Sequence, residues 1–268
     1  MVRLFVLVLL LWPAVVRAEE LPGKSYQYAY DGKDVGKPQR AWKGRAYVSP
    51  KAAKHKGALP LVVFLHGLNK ELIEHRWMGG GREGDVRRIV GELVEQGTIP
   101  PVVVAGPGST VASEVSQGAS WNYFDLDNFI ERTVAALKGV VTIDEKRIIV
   151  AGHSGAGCSD AGGLARVGES KRRLWAIVSI DTCMGGGLAE RLGKAHPKTH
   201  VIVSYQSATW TKRPFALFRR VFERTTKEHP AAEGILRTLD EQRPKTSPHD
   251  ATVKLTFDHW LPVLLAKR

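Results

Sequence analysis

Arg147-Ile148-Ile149-Val150-Ala151-Gly152-His153-Ser154-Gly155-Ala156-Gly157 is the stretch on which the fold turns. The apolar run over 147–151 has the length and β-branched content of a buried strand, and it stops at a glycine. A turn of the G-x-S-x-G type follows, with Ser154 at its centre, Gly152 two residues before it and Ala156 in place of the last glycine. Small residues are needed at those two places. A serine lifted out of a tight strand-to-helix turn sits on strained backbone, and bulky groups two before or two after it would clash. A dinucleotide-binding turn would read G-x-G-x-x-G, which is not what stands here. A plainer role, Ser154 as a helix cap, would not require the small residues around it.

Working outward, 61–65 is a second continuous apolar run, ending in His66-Gly67, as expected of a central parallel strand. Upstream, 26–30 and 44–48 read as the strands of an antiparallel hairpin. A helix is expected over 85–96, where Val86, Ile89, Val90, Leu93 and Val94 recur at helical spacing between Asp85 as N-cap and Gly97 as stop. A strand follows over 102–105, then a helix over 127–137. Beyond the serine come a helix over 154–167, strands over 174–180 and 200–204, a helix over 215–227, a short strand over 235–239 and a final helix over 250–266. Val253, Leu255 and Phe257 alternate like a strand. The longer stripe Val253, Phe257, Trp260, Leu261, Leu264 and Leu265 favours the helix. Strands alternating with helices imply an α/β fold with a mostly parallel central sheet and helices on both faces. No repeat or linker divides 19–268, which reads as one domain.

Arg3, the apolar run over 4–16 and Val16-Arg17-Ala18 form the pattern of a signal peptide over 1–18, cut after Ala18. Pro13 interrupts the run, which is shorter than a bilayer span needs, and no later stretch reads as transmembrane. The expected location is therefore secreted or periplasmic. The 268 residues carry a net charge of +12, and the leader accounts for two of those charges, Arg3 and Arg17. Such a field favours anionic substrates or polymers. No basic run interleaved with aromatics points to specific nucleic-acid binding. The histidines show no H-E-x-x-H or paired spacing, so neither metal nor cofactor is expected. Gly79-Gly80-Gly81-Arg82-Glu83-Gly84 follows no strand and lacks a Gly-Lys-Ser/Thr end, and reads as a loop bordering the site.

The segment around Ser154 resembles the nucleophile elbow of the α/β-hydrolase superfamily, and the alternation of elements over nearly the whole chain resembles that fold. The resemblance implies Ser154 as nucleophile. His66-Gly67-Leu68 is similar to the oxyanion-hole segment, so the implied donors are the backbone N–H groups of Leu68 and Gly155. His66 precedes the serine and reads as a residue that holds its loop, since the base comes last in this superfamily. Two histidines near the C-terminus could be that base. His249 lies in a polar loop ahead of the final helix, whereas His259 would serve if 253–257 were a strand. His196 and His229 read as solvated.

The superfamily most often places its acid after the strand that here is 200–204, but no Asp or Glu occurs from 201 to 222. This sequence departs from that pattern. Asp181, after the preceding strand, is the alternative location the resemblance offers, with Asp240 and Asp250 as further candidates. Cys158 and Cys183 follow neighbouring strands in such a sheet, and could form a disulfide or remain two buried thiols.

The expected activity is cleavage of a small-molecule or polymer-linked ester, amide or peptide through an acyl-enzyme on Ser154, with His249 as base and Asp181 as its partner. An acyltransferase would use the same residues, and a non-catalytic cell-envelope binding protein would use only the scaffold. The segments 106–123 and 209–220, with Trp121, Tyr123, Trp210 and Phe215, are expected to line the pocket, although the same aromatics read equally as ordinary core.

Overall fold

The run Leu59 to Leu65 forms β3 (Leu59–Leu65), and every residue of it is buried. Leu61, Val63 and Leu65 join one hydrophobic cluster, while Val62 and Phe64 join another. The alternation follows from the pleat, and burial on both faces explains why no polar residue interrupts the run. The computed structural model describes residues 21–31, 42–68, 84–108, 121–122, 124–209 and 212–266. The leader, Gly79 to Arg82 and its neighbours, Tyr123 and Trp210 lie outside them.

β3 sits inside an eight-stranded sheet with the order β1-β2-β4-β3-β5-β6-β7-β8. The other strands are β1 (Lys24–Tyr30), β2 (Trp42–Val48), β4 (Val103–Pro107), β5 (Ile143–His153), β6 (Ala176–Ile180), β7 (His200–Gln206) and β8 (Arg237–Gln242). β1 and β2 form the expected hairpin, β2 runs antiparallel to β4, and all remaining pairs are parallel.

Among the described residues two helices cover one face, α2 (Val86–Gln96) and α6 (Pro248–Leu265). Val86, Ile89, Val90, Phe257 and Leu261 pack there with Val62 and Phe64. The other face carries α3 (Leu126–Ala136), α4 (Gly186–Gly193) and α5 (Phe215–Glu228), through Phe129, Ile130, Leu188, Leu192, Phe218 and Phe222. A short helix α1 (Pro50–Lys54) follows β2. The ends of α2 fall where the sequence puts them. Asp85 accepts from the Arg87 N–H at 3.0 Å, and Gly97 ends the helix at φ 79°. Among the described residues no helix is long and apolar enough to cross a membrane.

The helix expected over 154–167 is absent. Two pieces of 3₁₀ helix stand there instead, Ser154–Gly157 and Gly163–Glu169. Four glycines in ten residues, Gly155, Gly157, Gly162 and Gly163, cost helix propensity. Gly163 takes φ +57° beside the Ala156 carbonyl, and a disulfide from Cys158 to Cys183, with Cα atoms 4.9 Å apart, pulls the chain aside. Other elements differ from expectation as well. α1 and α4 are too short to leave a periodic signal, and α6 begins two residues early because Pro248 suits the first turn of a helix.

Candidate active site

β5 delivers Ser154 to the carboxyl edge of the sheet, where its backbone adopts φ +53°. Crowding explains the small residues around it. A methyl group on Gly152 would stand 2.5 Å from Leu164 Cγ, and one on Gly67 would stand 2.8 Å from Ser154 Cβ. The segment after β3 is therefore pressed against the serine, with Leu68 half-buried just beyond Gly67 and Gly155 buried just beyond Ser154. A methyl on Gly157 would likewise meet Thr182 Cγ2 at 2.6 Å, so the turn after β6 packs on the serine turn. The dipole of a long helix is not available here. One turn of 3₁₀ helix begins at the serine instead, and the leading N–H groups of such a turn have no partner within it.

Asp181 directly follows β6 at φ +43°, with its N–H bonded to the Ser204 carbonyl at 2.8 Å and its side chain 0% exposed. His249 reaches it from the first turn of α6, rather than from a loop ahead of that helix, after Ser247 at φ 40° and Pro248. His249 Nδ1 lies 2.5 Å from Asp181 Oδ2. Toward an ionised carboxylate, Nδ1 is the donor in that bond.

Three further residues complete the arrangement, and none was singled out from sequence. Gln206, the last residue of β7, donates from its backbone N–H to Asp181 Oδ1 at 3.3 Å and from Nε2 to Oδ2 at 2.9 Å. Arg213 forms an ion pair with Asp181 through Nη1 and approaches Oδ2 with Nη2 at 3.4 Å. His153, directly before the serine, stacks on His249 with ring centroids 4.4 Å apart and places Nε2 3.0 Å from the His249 carbonyl oxygen. That nitrogen must donate. The available signals were a buried-strand terminus at 153 and the first of three arginines in a stretch, 201–222, stripped of carboxylates.

The electrostatics follow from these contacts. Burial alone would raise the Asp181 carboxyl, but hydrogen bonds from His249, Arg213 and Gln206, with the guanidinium charge, outweigh it and bring it down to about 2. Burial first, and then the charge His249 can carry, hold His153 down to about 3, so it is neutral at pH 7.

The remaining sequence candidates lie elsewhere. His259 is exposed on α6, edge-on to Trp260, ten residues and so roughly 15 Å along the helix from His249. Asp240 on β8 accepts from Trp260 Nε1 at 2.6 Å and Ser204 Oγ at 3.1 Å, and Asp250 is exposed in the first turn of α6. His66 is buried, with Nδ1 2.5 Å from the Gly67 carbonyl oxygen and its ring 4.9 Å from Trp121. Trp121 is only 1% exposed and belongs to the core, not to a pocket wall, because it fills the space between His66 and Phe124. Phe215 is half-buried against Tyr205. Among the described residues no group of three or more His, Cys, Asp or Glu could hold a metal.

Neither a protein-family model nor a curated protein matches the chain in sequence. Solved structures do match its architecture. A ferulic acid esterase superposes with TM-score 0.61 at 10% identity, covering 92% of this chain and 99% of its own. An S-formylglutathione hydrolase from Agrobacterium tumefaciens gives 0.60 at 16%, covering 92% and 97%. An IroE-like serine hydrolase from Shewanella oneidensis gives 0.54 at 11%, covering 90% and 80%. Sheet order, the turn at Ser154 and these superpositions agree on one architecture, and the protein has the fold of the α/β-hydrolase superfamily.

Proposed function

We propose that the protein is a serine hydrolase that cleaves carboxylic esters through an acyl-enzyme on Ser154. The observation that carries this reading is the 2.5 Å contact between His249 and a fully buried Asp181, with His249 lying against His153, the residue directly before a serine held in the left-handed region. In the proposed cycle Ser154 Oγ attacks the ester carbonyl while His249 Nε2 takes its proton. Asp181 keeps the proton on Nδ1 and so keeps Nε2 basic. The backbone N–H groups of Leu68 and Gly155 receive the oxyanion, His249 returns the proton to the leaving alcohol, and water releases the acyl group by the same route. Amides and peptides would follow the same path. The esterases among the structural neighbours favour esters as the first substrates to try.

We also infer export. The leader pattern over 1–18 supports it, as does a disulfide between the only two cysteines of the chain, since such bonds persist in oxidising compartments. The basic surface would then favour substrates joined to anionic material.

The test is labelling with a fluorescent fluorophosphonate, together with turnover of p-nitrophenyl acetate and butyrate. The wild-type chain is expected to label and to hydrolyse, and Ser154→Ala to do neither. A wild-type chain that does neither would remove the catalytic reading and leave a binding role on this scaffold.

A further inference from the structure

The acid at Asp181 meets a problem that an acid at the rim of a cleft would not. Its carboxylate is 0% exposed, and water cannot solvate the charge that the proposed cycle requires of it. A dry carboxylate takes up a proton or finds fixed partners. Here both oxygens are saturated. Oδ1 receives Arg213 Nη1 and the Gln206 N–H, and Oδ2 receives His249 Nδ1, Gln206 Nε2 and, more distantly, Arg213 Nη2.

These partners are themselves fixed. The Arg213 side chain is 5% exposed, so its charge is scarcely screened by solvent. The Thr209 N–H donates to Gln206 Oε1 at 2.8 Å, which turns the amide so that Nε2 faces the carboxylate, and the same Nε2 also reaches Thr209 Oγ1 at 2.7 Å. Gln206 and Arg213 lie in the very stretch, 201–222, that contains no Asp or Glu. The position where related folds keep the acid is taken by groups that serve it from across the sheet edge.

We propose that Arg213 and Gln206 are positioning residues of this site, which together keep the buried Asp181 ionised and aimed at His249. The inference rests on the hydrolase reading given above. Among the described residues, the titratable and charged groups facing Asp181 are His249 from α6, Arg213 from the segment ahead of α5, and His153 from the end of β5, which stays neutral. Arg213 is therefore the one permanent charge among them. With the guanidinium removed, the Asp181–His249 pair loses the positive charge that opposes its protonation, so the pair takes up a proton at higher pH. A pair that already holds the extra proton cannot take one from the serine, which sets the acid limb of the activity profile.

The experiment compares wild type, Arg213→Met, Arg213→Lys and Gln206→Leu, reading kcat and KM for p-nitrophenyl acetate from pH 4 to 9, with near-UV circular dichroism as the check on folding. Arg213→Met is expected to lower kcat about 100-fold with KM within about twofold, and to move the acid limb of kcat up by about one pH unit. Arg213→Lys should return the limb to within a few tenths of a unit of wild type and recover most of kcat. Gln206→Leu should shift the limb in the same direction by less. A folded Arg213→Met with the wild-type limb and kcat would overturn the proposal and leave the ion pair a purely structural one. If Arg213→Met does not fold, Gln206→Leu decides, and an unshifted limb there overturns the proposal equally. Failure of the hydrolase reading looks different, because wild type itself would then neither label nor turn over ester.

Discussion

Ser154, Asp181, Met184 and Ser247 are the non-glycine residues with positive φ among the described residues, and all four belong to the turns that assemble the site. Each costs on the order of 1–2 kcal/mol relative to ordinary backbone. The strain is bound to geometry. It turns the serine hydroxyl out of β5, aims Asp181 across the sheet edge, and starts α6 so that His249 falls on Asp181. Ser247 makes no side-chain capping bond, so Ser247→Gly removes strain and little else. We expect its urea midpoint to be no lower than wild type while kcat falls severalfold, because the turn that holds His249 loosens. Gly67 poses the opposite case. A methyl there would press into Ser154 at 2.8 Å, so Gly67→Ala should fold and yet lose at least about tenfold in fluorophosphonate labelling rate. An unchanged rate would mean that the segment after β3 is free to move away from the serine.

The element that mattered most for reading the sequence was the one that is not a helix. Buried strands β3, β5, β6 and β7 announced themselves by apolar runs, and α2 by its stripe and caps, since local sequence decides such features. The stretch 154–167 carries Leu164, Ala165 and Val167 at helix-like spacing, but its form is set by groups distant in sequence. Gly162 packs against the Trp121 backbone, and Cys158 is tied to Cys183. The site shows the same division. Ser154 could be read from its own turn, and Asp181 and His249 from their places at the ends of elements, whereas Arg213, Gln206 and His153 owe their positions to the sheet order that sets β5, β6 and β7 side by side. Bridging the turns after β5 and β6, 25 residues apart, should stabilise the fold by about 3.5 kcal/mol. Urea unfolding with and without tris(2-carboxyethyl)phosphine tests this, and reduction is expected to lower the midpoint and to slow labelling at Ser154.

At the scale of the whole molecule, two buried groups tie stability to pH in the same direction. His153 titrates at about 3 in the folded protein and near 6.5 when unfolded, so between those values the unfolded chain holds the extra proton. Stability is therefore complete above about pH 6.5 and falls as pH drops through that window, by up to about 1.4 kcal/mol per unit for one proton. Asp181 adds to the loss only lower, between its ordinary value of 3.8 and about 2. Urea unfolding between pH 7 and 4.5 should show this slope in wild type and a shallower one in His153→Asn, whose amide can still donate to the His249 carbonyl. Equal slopes would mean that His153 accepts a proton in place.

The bridge from Cys158 to Cys183 also closes a covalent ring that holds the second 3₁₀ segment and all of β6. An unfolded chain with the ring intact already keeps the ends of β5 and β6 near each other, which shortens the search for the parallel pairing of those two strands. The oxidised chain should thus refold faster than the reduced one, and Ser154 and Asp181 would be neighbours before the sheet that displays them exists.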